Sequence, residues 1–212
     1  MTAIAPLLLP SSPPDEAPPS SPPGSRVQAT KEEFVRPTFD QVYAETFPSV
    51  WRTARRLGVI DSSVDDVVQE VFVTVYRRLD RFEGRSSLKT WVFGILLHVV
   101  NNYRRSRRRK GAGHATTSVV HDPELLVDTR DDPMEQVSRA EASRILHQLL
   151  GQLDEDKAAV FVLAELEGMS VPEISEATGC NVNTVYSRLR AARKAFNRAL
   201  SRRVPQKEVR HG

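Results

Sequence analysis

The sequence predicts an all-α fold of two small helical bundles, and three observations carry that reading. Apolar residues recur at three- and four-residue spacing in one segment after another between residues 38 and 200, and no segment shows the two-residue alternation of a strand. The breaks between these segments hold helix punctuation: Thr38, Asp132-Pro133 and Asn181 before a run, Gly58, Gly168 and Gly179 after one. The periodic segments also fall into two groups, separated by residues 111–132, where periodicity lapses.

Taken in order, residues 1–36 form a Pro/Ser-rich tail. Eight of the fourteen prolines precede residue 24, and such a stretch buries too little apolar surface to offset its ordering entropy, so disorder is expected. The first helix opens with a Thr38/Gln41 capping box and carries Phe39, Val42, Tyr43 and Phe47, then Val50, Trp51, Ala54 and Leu57. Pro48 is expected to kink it or to start a new helix, and Gly58 to end it. A second helix is expected from Ser62 or Ser63, with Asp65 and Asp66 in its first turn and a stripe of Val64, Val67, Val68, Val71, Val75 and Leu79. After "RFEGRSS", Ser86 is expected to cap a third helix that runs through Trp91, Ile95 and Val99 into a basic run, with Gly94 marking a close approach. Residues 37–110 make up this first bundle.

Residues 111–132 read as a flexible acidic linker: between 122 and 135 stand Asp122, Glu124, Asp128, Asp131, Asp132 and Glu135 against Arg130 alone. The second bundle, residues 133–203, opens at Asp132-Pro133 with Val137, Ile145, Leu146, Leu149, Leu150 and Leu153 on one stripe. A further helix ends at Gly168, two short helices joined at Gly179 follow, and residues 204–212 form a tail.

Composition narrows the function classes. A single cysteine, Cys180, rules out an internal disulfide and speaks against a Cys-based zinc site. The N-terminal "MTAIAPLLLPSSPP" lacks a basic leader and is cut by Pro6 and Pro10, so no signal peptide and a cytoplasmic location are expected. No motif for metal-dependent hydrolysis, nucleotide binding or a nucleophile triad is present, so neither an enzyme, a cofactor nor a small-molecule substrate is expected. The net charge of +3 is small, but its distribution is uneven. "RRSRRRK" at 104–110 carries six positive charges, and residues 180–203 carry seven with no acid. Two basic blocks on separate elements suit an extended polyanion such as nucleic acid.

"SVPEISEATGCNVNTVYSRLRAAR" has helix-turn-helix spacing. Pro172 suits a first turn, Ile174 and Ala177 supply apolar contacts, Gly179 permits the tight turn, and Asn181 caps the next helix. Val185, Leu189, Ala192 and Phe196 share one face of that helix. Asn183, Tyr186, Ser187, Arg190 and Lys194 share the other, with base-reading groups near the start and positive charge beyond.

Two longer stretches complete the pattern. "DDVVQEVFVTVYRRLDRFEGRSSLKTWVFGILLHVVNNYRRSRRR" resembles region 2 of sigma-70 family factors, and "LGQLDEDKAAVFVLAELEGMSVPEISEATGCNVNTVYSRLRAARKAF" resembles their region 4. With only a linker between them, the layout resembles the extracytoplasmic function (ECF, group IV) sigma factors. The resemblance implies a factor that binds core RNA polymerase, at the β′ clamp helices and the β flap, and directs promoter-specific initiation on double-stranded and melted DNA under anti-sigma control. It places Asp66, Gln69, Glu70 and Phe72 at the polymerase, and from the residues Gln69, Phe72 and Tyr76 lie off the valine stripe, on a second face. It places Phe82, Arg85, Ser86, Ser87, Lys89, His98, Asn102, Tyr103, Arg104 and Arg105 at the minus-ten element, with Trp91 in the core. Asn183, Thr184, Tyr186, Ser187, Arg190 and Lys194 fall at the minus-thirty-five element. His98 and Leu96 depart from the family pattern, as do Asn183 and Tyr186, so the promoter sequence does not carry over. The alternative is a helix-turn-helix operator-binding regulator that needs no polymerase core; it has no reason to carry the "DVVQEVF" and "SSLKTW" motifs.

Overall fold

A computed structural model describes residues 36–111 and 133–203 of the chain. The expected disordered tail, the acidic linker beyond residue 111 and the C-terminal tail lie outside the described residues. Seven helices make up the described part, with no strand among the described residues: α1 (Phe39–Arg56), α2 (Asp61–Arg78), α3 (Leu88–Arg109), α4 (Pro133–Leu150), α5 (Glu155–Phe161), α6 (Val171–Thr178) and α7 (Val182–Arg203). A short 3₁₀ turn (Leu79–Arg81) follows α2, and α5 runs on into a π-helical turn (Val162–Leu166).

Local chemistry explains most boundaries, and several differ from expectation. The Thr38/Gln41 capping box is present, but α1 continues across Pro48 instead of restarting. Pro48 removes only the N–H that would reach the Ala44 carbonyl. Side-chain bonds from Thr46 to the Val42 carbonyl (2.7 Å) and from Ser49 to the Thr46 carbonyl (2.9 Å) add support in the same turns. α2 begins at Asp61, before the serines, and its N-cap, Ile60, offers no side-chain bond. Asp61 fixes that start by accepting from the buried Arg55 guanidinium at 3.0 Å, and Asp65 lies a turn further on, where it accepts from the Trp51 indole at 3.3 Å. The cap of α3 is Ser87 rather than Ser86, since it is the Ser87 hydroxyl that accepts from the Thr90 N–H. Val137 is 70 % exposed and contributes nothing to the stripe expected for α4, whose Leu149 and Leu150 are buried. The helix after Gly179 is long, spanning 22 residues.

The first bundle packs α1, α2 and α3 around Val42, Val50, Val64, Val71, Val75, Phe93, Leu96 and Val99, each at most 2 % exposed. The second wraps α5, α6 and α7 around Val160, Leu163, Ile174, Val185, Leu189 and Ala192. Burying one such side chain contributes about 1.5–3 kcal/mol relative to leaving it exposed. The two bundles expected from the sequence are present, and they also touch. Their buried residues form one continuous apolar cluster, and α3 lies directly on α6. The two helices meet at Gly94, where a Cβ would stand in ordinary van der Waals contact, 3.5 Å from the Ala177 carbonyl oxygen and 3.7 Å from its Cα.

Candidate functional site

Three surfaces gather the residues that the sequence singled out. The first lies between α1 and α2. Phe39, Tyr43 and Phe47 recur every four residues on α1, on a different face from the buried Val42, Thr46 and Val50. They meet Phe72 and Tyr76 of α2: Tyr43 stacks on Phe47 at 5.0 Å, approaches Phe72 at 4.7 Å, and Phe39 meets Tyr76 edge-on at 5.4 Å. Together with Asp65, Asp66, Val68, Gln69 and Val73 they line an open groove of about 560 Å³. Tyr76 is 68 % and Tyr43 41 % exposed, which makes this an uncovered aromatic surface rather than a core. Gln69, Asp66 and Glu70 are exposed beside it. Phe72 is the most buried of the four residues that the resemblance places at the polymerase. It is 5 % exposed, held among Phe39, Tyr43 and Phe47, and forms the floor of the groove. The sequence reading missed Phe39, Tyr43 and Phe47 as site residues, although a second four-residue apolar row on one helix was the signal for them.

The second surface comprises the loop before α3 and the basic end of that helix. Arg85 is exposed, Ser86 half-buried, and His98, Asn102 and Arg105 are exposed along α3. Asn102, Arg105, Arg108 and Arg109 line a shared basic cleft. Three expected members of this surface are committed elsewhere. Phe82 is buried, its ring tilted against Trp91 at 5.0 Å and its carbonyl accepting from Arg36, so it anchors the loop from below. The Tyr103 hydroxyl is buried, and the Arg107 guanidinium lies 6.0 Å from its ring centre. Arg104 turns inward, donating to the Leu57 carbonyl at the end of α1 and lying 3.9 Å from Glu155 of α5. Burial pushes its pKa below the ordinary value, against the opposing pull of Glu155.

The second bundle reaches this surface at further points. Ser87 and Thr90 each stand 3.5 Å from a carboxylate oxygen of Glu173 on α6. Hydrogen bonds from the Ser170 N–H and hydroxyl hold that carboxyl below its usual range, with Thr90 and Ser87 adding to the effect. Lys89 donates to the Glu167 carbonyl at 2.5 Å and lies 3.8 Å from its carboxylate. Glu167 is itself buried and accepts from Thr53 at 2.7 Å and from Arg56 at 3.1 Å. It directly follows the π-helical turn, whose wider winding returns the Glu167 N–H to the Val162 carbonyl at 3.0 Å. Glu155, Glu167 and Glu173 were not legible as a set, because they lie on three separate elements.

The third surface is the first half of α7. Gly179 takes φ +69° in the turn after α6, a backbone open to glycine at no steric cost. Asn181 caps α7, its side chain accepting from the Thr184 N–H at 2.7 Å. Val185, Leu189 and Ala192 are buried as expected. Asn183, Tyr186, Ser187, Arg190 and Lys194 are exposed on the opposite side, Tyr186 by 59 %, with Thr184 at its edge. The charges flanking that face are paired: Arg188 with Asp156 at 2.6 Å, Arg193 with Glu165 at 2.7 Å. Arg190 and Lys194 make no ion pair among the described residues.

Comparison with known proteins agrees with this arrangement. Residues 42–110 match the model of sigma-70 region 2, and residues 143–196 match that of sigma-70 region 4. An ECF RNA polymerase sigma-E factor of Haemophilus influenzae is 32% identical over 136 residues, covering 63% of this chain and 72% of that protein. The RNA polymerase sigma factor CnrH of Cupriavidus metallidurans is 32% identical over 166 residues, covering 76% of this chain and 86% of that one. Among solved structures, CnrH in complex with the cytosolic domain of CnrY superposes with a TM-score of 0.58 at 27% identity, over 78% of this chain and 89% of that one. These matches span both helical bundles in the same order, and the chain belongs to the ECF subfamily of sigma-70 RNA polymerase sigma factors.

Proposed function

We propose that this chain binds core RNA polymerase through the aromatic groove between α1 and α2 and directs it to promoters through α3 and α7. The observation that carries the reading is the combination of an uncovered groove with an exposed recognition face. An operator-binding regulator needs the face and not the groove. The groove offers a helical partner an apolar floor at Phe72, rims at Tyr43 and Tyr76, and polar neighbours at Asp66, Gln69 and Glu70. Such a layout suits the β′ clamp helices, with region 4 meeting the β flap. On the minus-ten side, the exposed Arg85, His98, Asn102 and Arg105 are the first contacts, and Lys89, Ser87 and Arg104 join once region 4 moves off them. On the minus-thirty-five side, Asn183, Tyr186 and Ser187 meet base edges near the helix start, and Arg190 and Lys194 hold a guanine or phosphates. Control by an anti-sigma protein that covers these surfaces completes the reading; the related CnrH has a solved structure in complex with the cytosolic domain of CnrY, which supports it.

The test is run-off transcription from a promoter of the same genome, with core polymerase alone and with this chain added. A discrete transcript that depends on the chain is expected. Footprinting of the same promoter by the chain without core, together with no chain-dependent transcript, would favour the operator-binding regulator. Within the groove, Gln69→Ala with Tyr76→Ala should weaken core binding about tenfold or more with an unchanged melting temperature, since both side chains are exposed.

A further inference from the structure

We propose that the second half of α7 is a phosphate-binding arm, in which Lys194, Arg198 and Arg202 hold the DNA backbone beyond the bases met by the first half. The proposal rests on the sigma-factor reading above for the seat of α7 in the major groove. α7 carries no acidic residue along its 22 positions. Its cations fall into two sets. Arg188 and Arg193 flank the buried face formed by Val185, Leu189 and Ala192, and Asp156 and Glu165 pair with them. Arg190, Lys194, Arg198 and Arg202 recur every four residues on the opposite side, all exposed, and make no ion pair among the described residues. Like charges four residues apart on a helix repel, so this row weakens the free helix until an outside anion meets it.

Length and anchoring point to the anion. A helix rises about 1.5 Å per residue, which sets Arg198 about 12 Å and Arg202 about 18 Å beyond Arg190. The major groove is about 12 Å wide, and a recognition helix reads bases with its N-terminal residues. Arg198 and Arg202 therefore lie past the groove edge, where the phosphates of the bordering strand run. The row is held firm from behind: Phe196 stacks on Phe161 of α5 at 4.6 Å, and Ala199 is buried. A backbone of evenly spaced anions satisfies an evenly spaced row of cations whatever the base sequence.

Two full-length variants of equal charge change test this: Arg198→Gln with Arg202→Gln, and Arg188→Gln with Arg193→Gln. Each is assembled with core polymerase and titrated onto the promoter fragment used for run-off over a range of salt concentrations, with circular dichroism as the check on folding. Two lost phosphate contacts should flatten the slope of log affinity against log salt by about 1.8 in the Arg198/Arg202 variant. The loss should be the same on a promoter whose upstream element is scrambled. The Arg188/Arg193 variant should keep the wild-type slope, since acids already hold those side chains. A wild-type slope in a folded Arg198/Arg202 variant would overturn the arm. So would equal flattening in both variants, because that reports net charge and not position. A loss confined to one upstream sequence would overturn it too, because that is base reading. If wild-type holoenzyme forms no promoter complex and gives no run-off, the sigma reading fails instead, and the same titration of the free chain on duplex DNA decides the arm.

Discussion

The two longest helices, α3 and α7, are both 22 residues long, both buried along one face, and both basic at the end, yet their charges are held differently. On α3, Arg104 and Arg108 are met by Glu155 from the other bundle. On α7, Arg188 and Arg193 are met by Asp156 and Glu165 from the neighbouring helix of its own bundle, which leaves Arg190 and the polar face around it exposed. Local pairing trims a basic surface and leaves its polar face exposed. Pairing across bundles ties the availability of the surface to the relative position of the bundles. Charge in the sequence predicts neither case, because it does not say which acid arrives.

The largest expected effects concern the anchors common to both helices. Phe93→Ala on α3 should cost about 3–5 kcal/mol and Leu189→Ala on α7 about 2–5 kcal/mol, read by urea unfolding. Both side chains are buried, at 0 % and 5 %. Retained stability in either would mean that the helix is not held as described, and the comparison would lose its footing.

Arginine replacement sharpens the contrast. Arg104→Ala should destabilise the free chain by about 1–3 kcal/mol, since it strips a donor from the Leu57 carbonyl and a partner from Glu155. Arg190→Ala should leave the melting temperature unchanged and instead lower selectivity for the upstream element about tenfold if it reads a base. If it holds a phosphate, the loss should be uniform across upstream sequences. Equal stability effects in the two variants would erase the distinction drawn between the helices.

The smallest effect is a pH dependence at Glu173. Its folded pKa is lowered, first by the hydrogen bonds from Ser170. Its contribution is therefore fully present above the ordinary carboxylate pKa and is lost as pH falls through the lowered one. Melting temperatures of wild type and Glu173→Gln should differ slightly near neutrality and converge in acid. A gap that widens on acidification would contradict the assignment.

Much of the fold was legible in the sequence because helices announce themselves locally. The Thr38/Gln41 box, Gly58, Asn181 and the valine stripe of α2 act within a turn or two, and each behaves as read. Where the reading of boundaries slipped, side-chain contacts decided. Asp61 starts α2 early because Arg55 holds it, and Pro48 stays inside α1 beside the Thr46 and Ser49 side-chain bonds. The exposed polar face of α7 was legible for the same local reason. The floor position of Phe72, the buried Phe82 and the inward Arg104 were not, since each depends on a partner from another helix or from the loop. The contacts between the bundles were least legible of all, because Glu155, Glu167 and Glu173 join residues 47 to 114 positions away.

The central claim is the proposal that the groove between α1 and α2, and not the exposed face of α7, carries polymerase binding. The direct measurement is the affinity of core polymerase for the full-length chain, for Gln69→Ala with Tyr76→Ala, and for Arg190→Ala. All three positions are exposed. The account predicts a loss of about tenfold or more in the Gln69/Tyr76 variant and none in Arg190→Ala, with melting temperatures unchanged. Wild-type affinity in a folded Gln69/Tyr76 variant would contradict it.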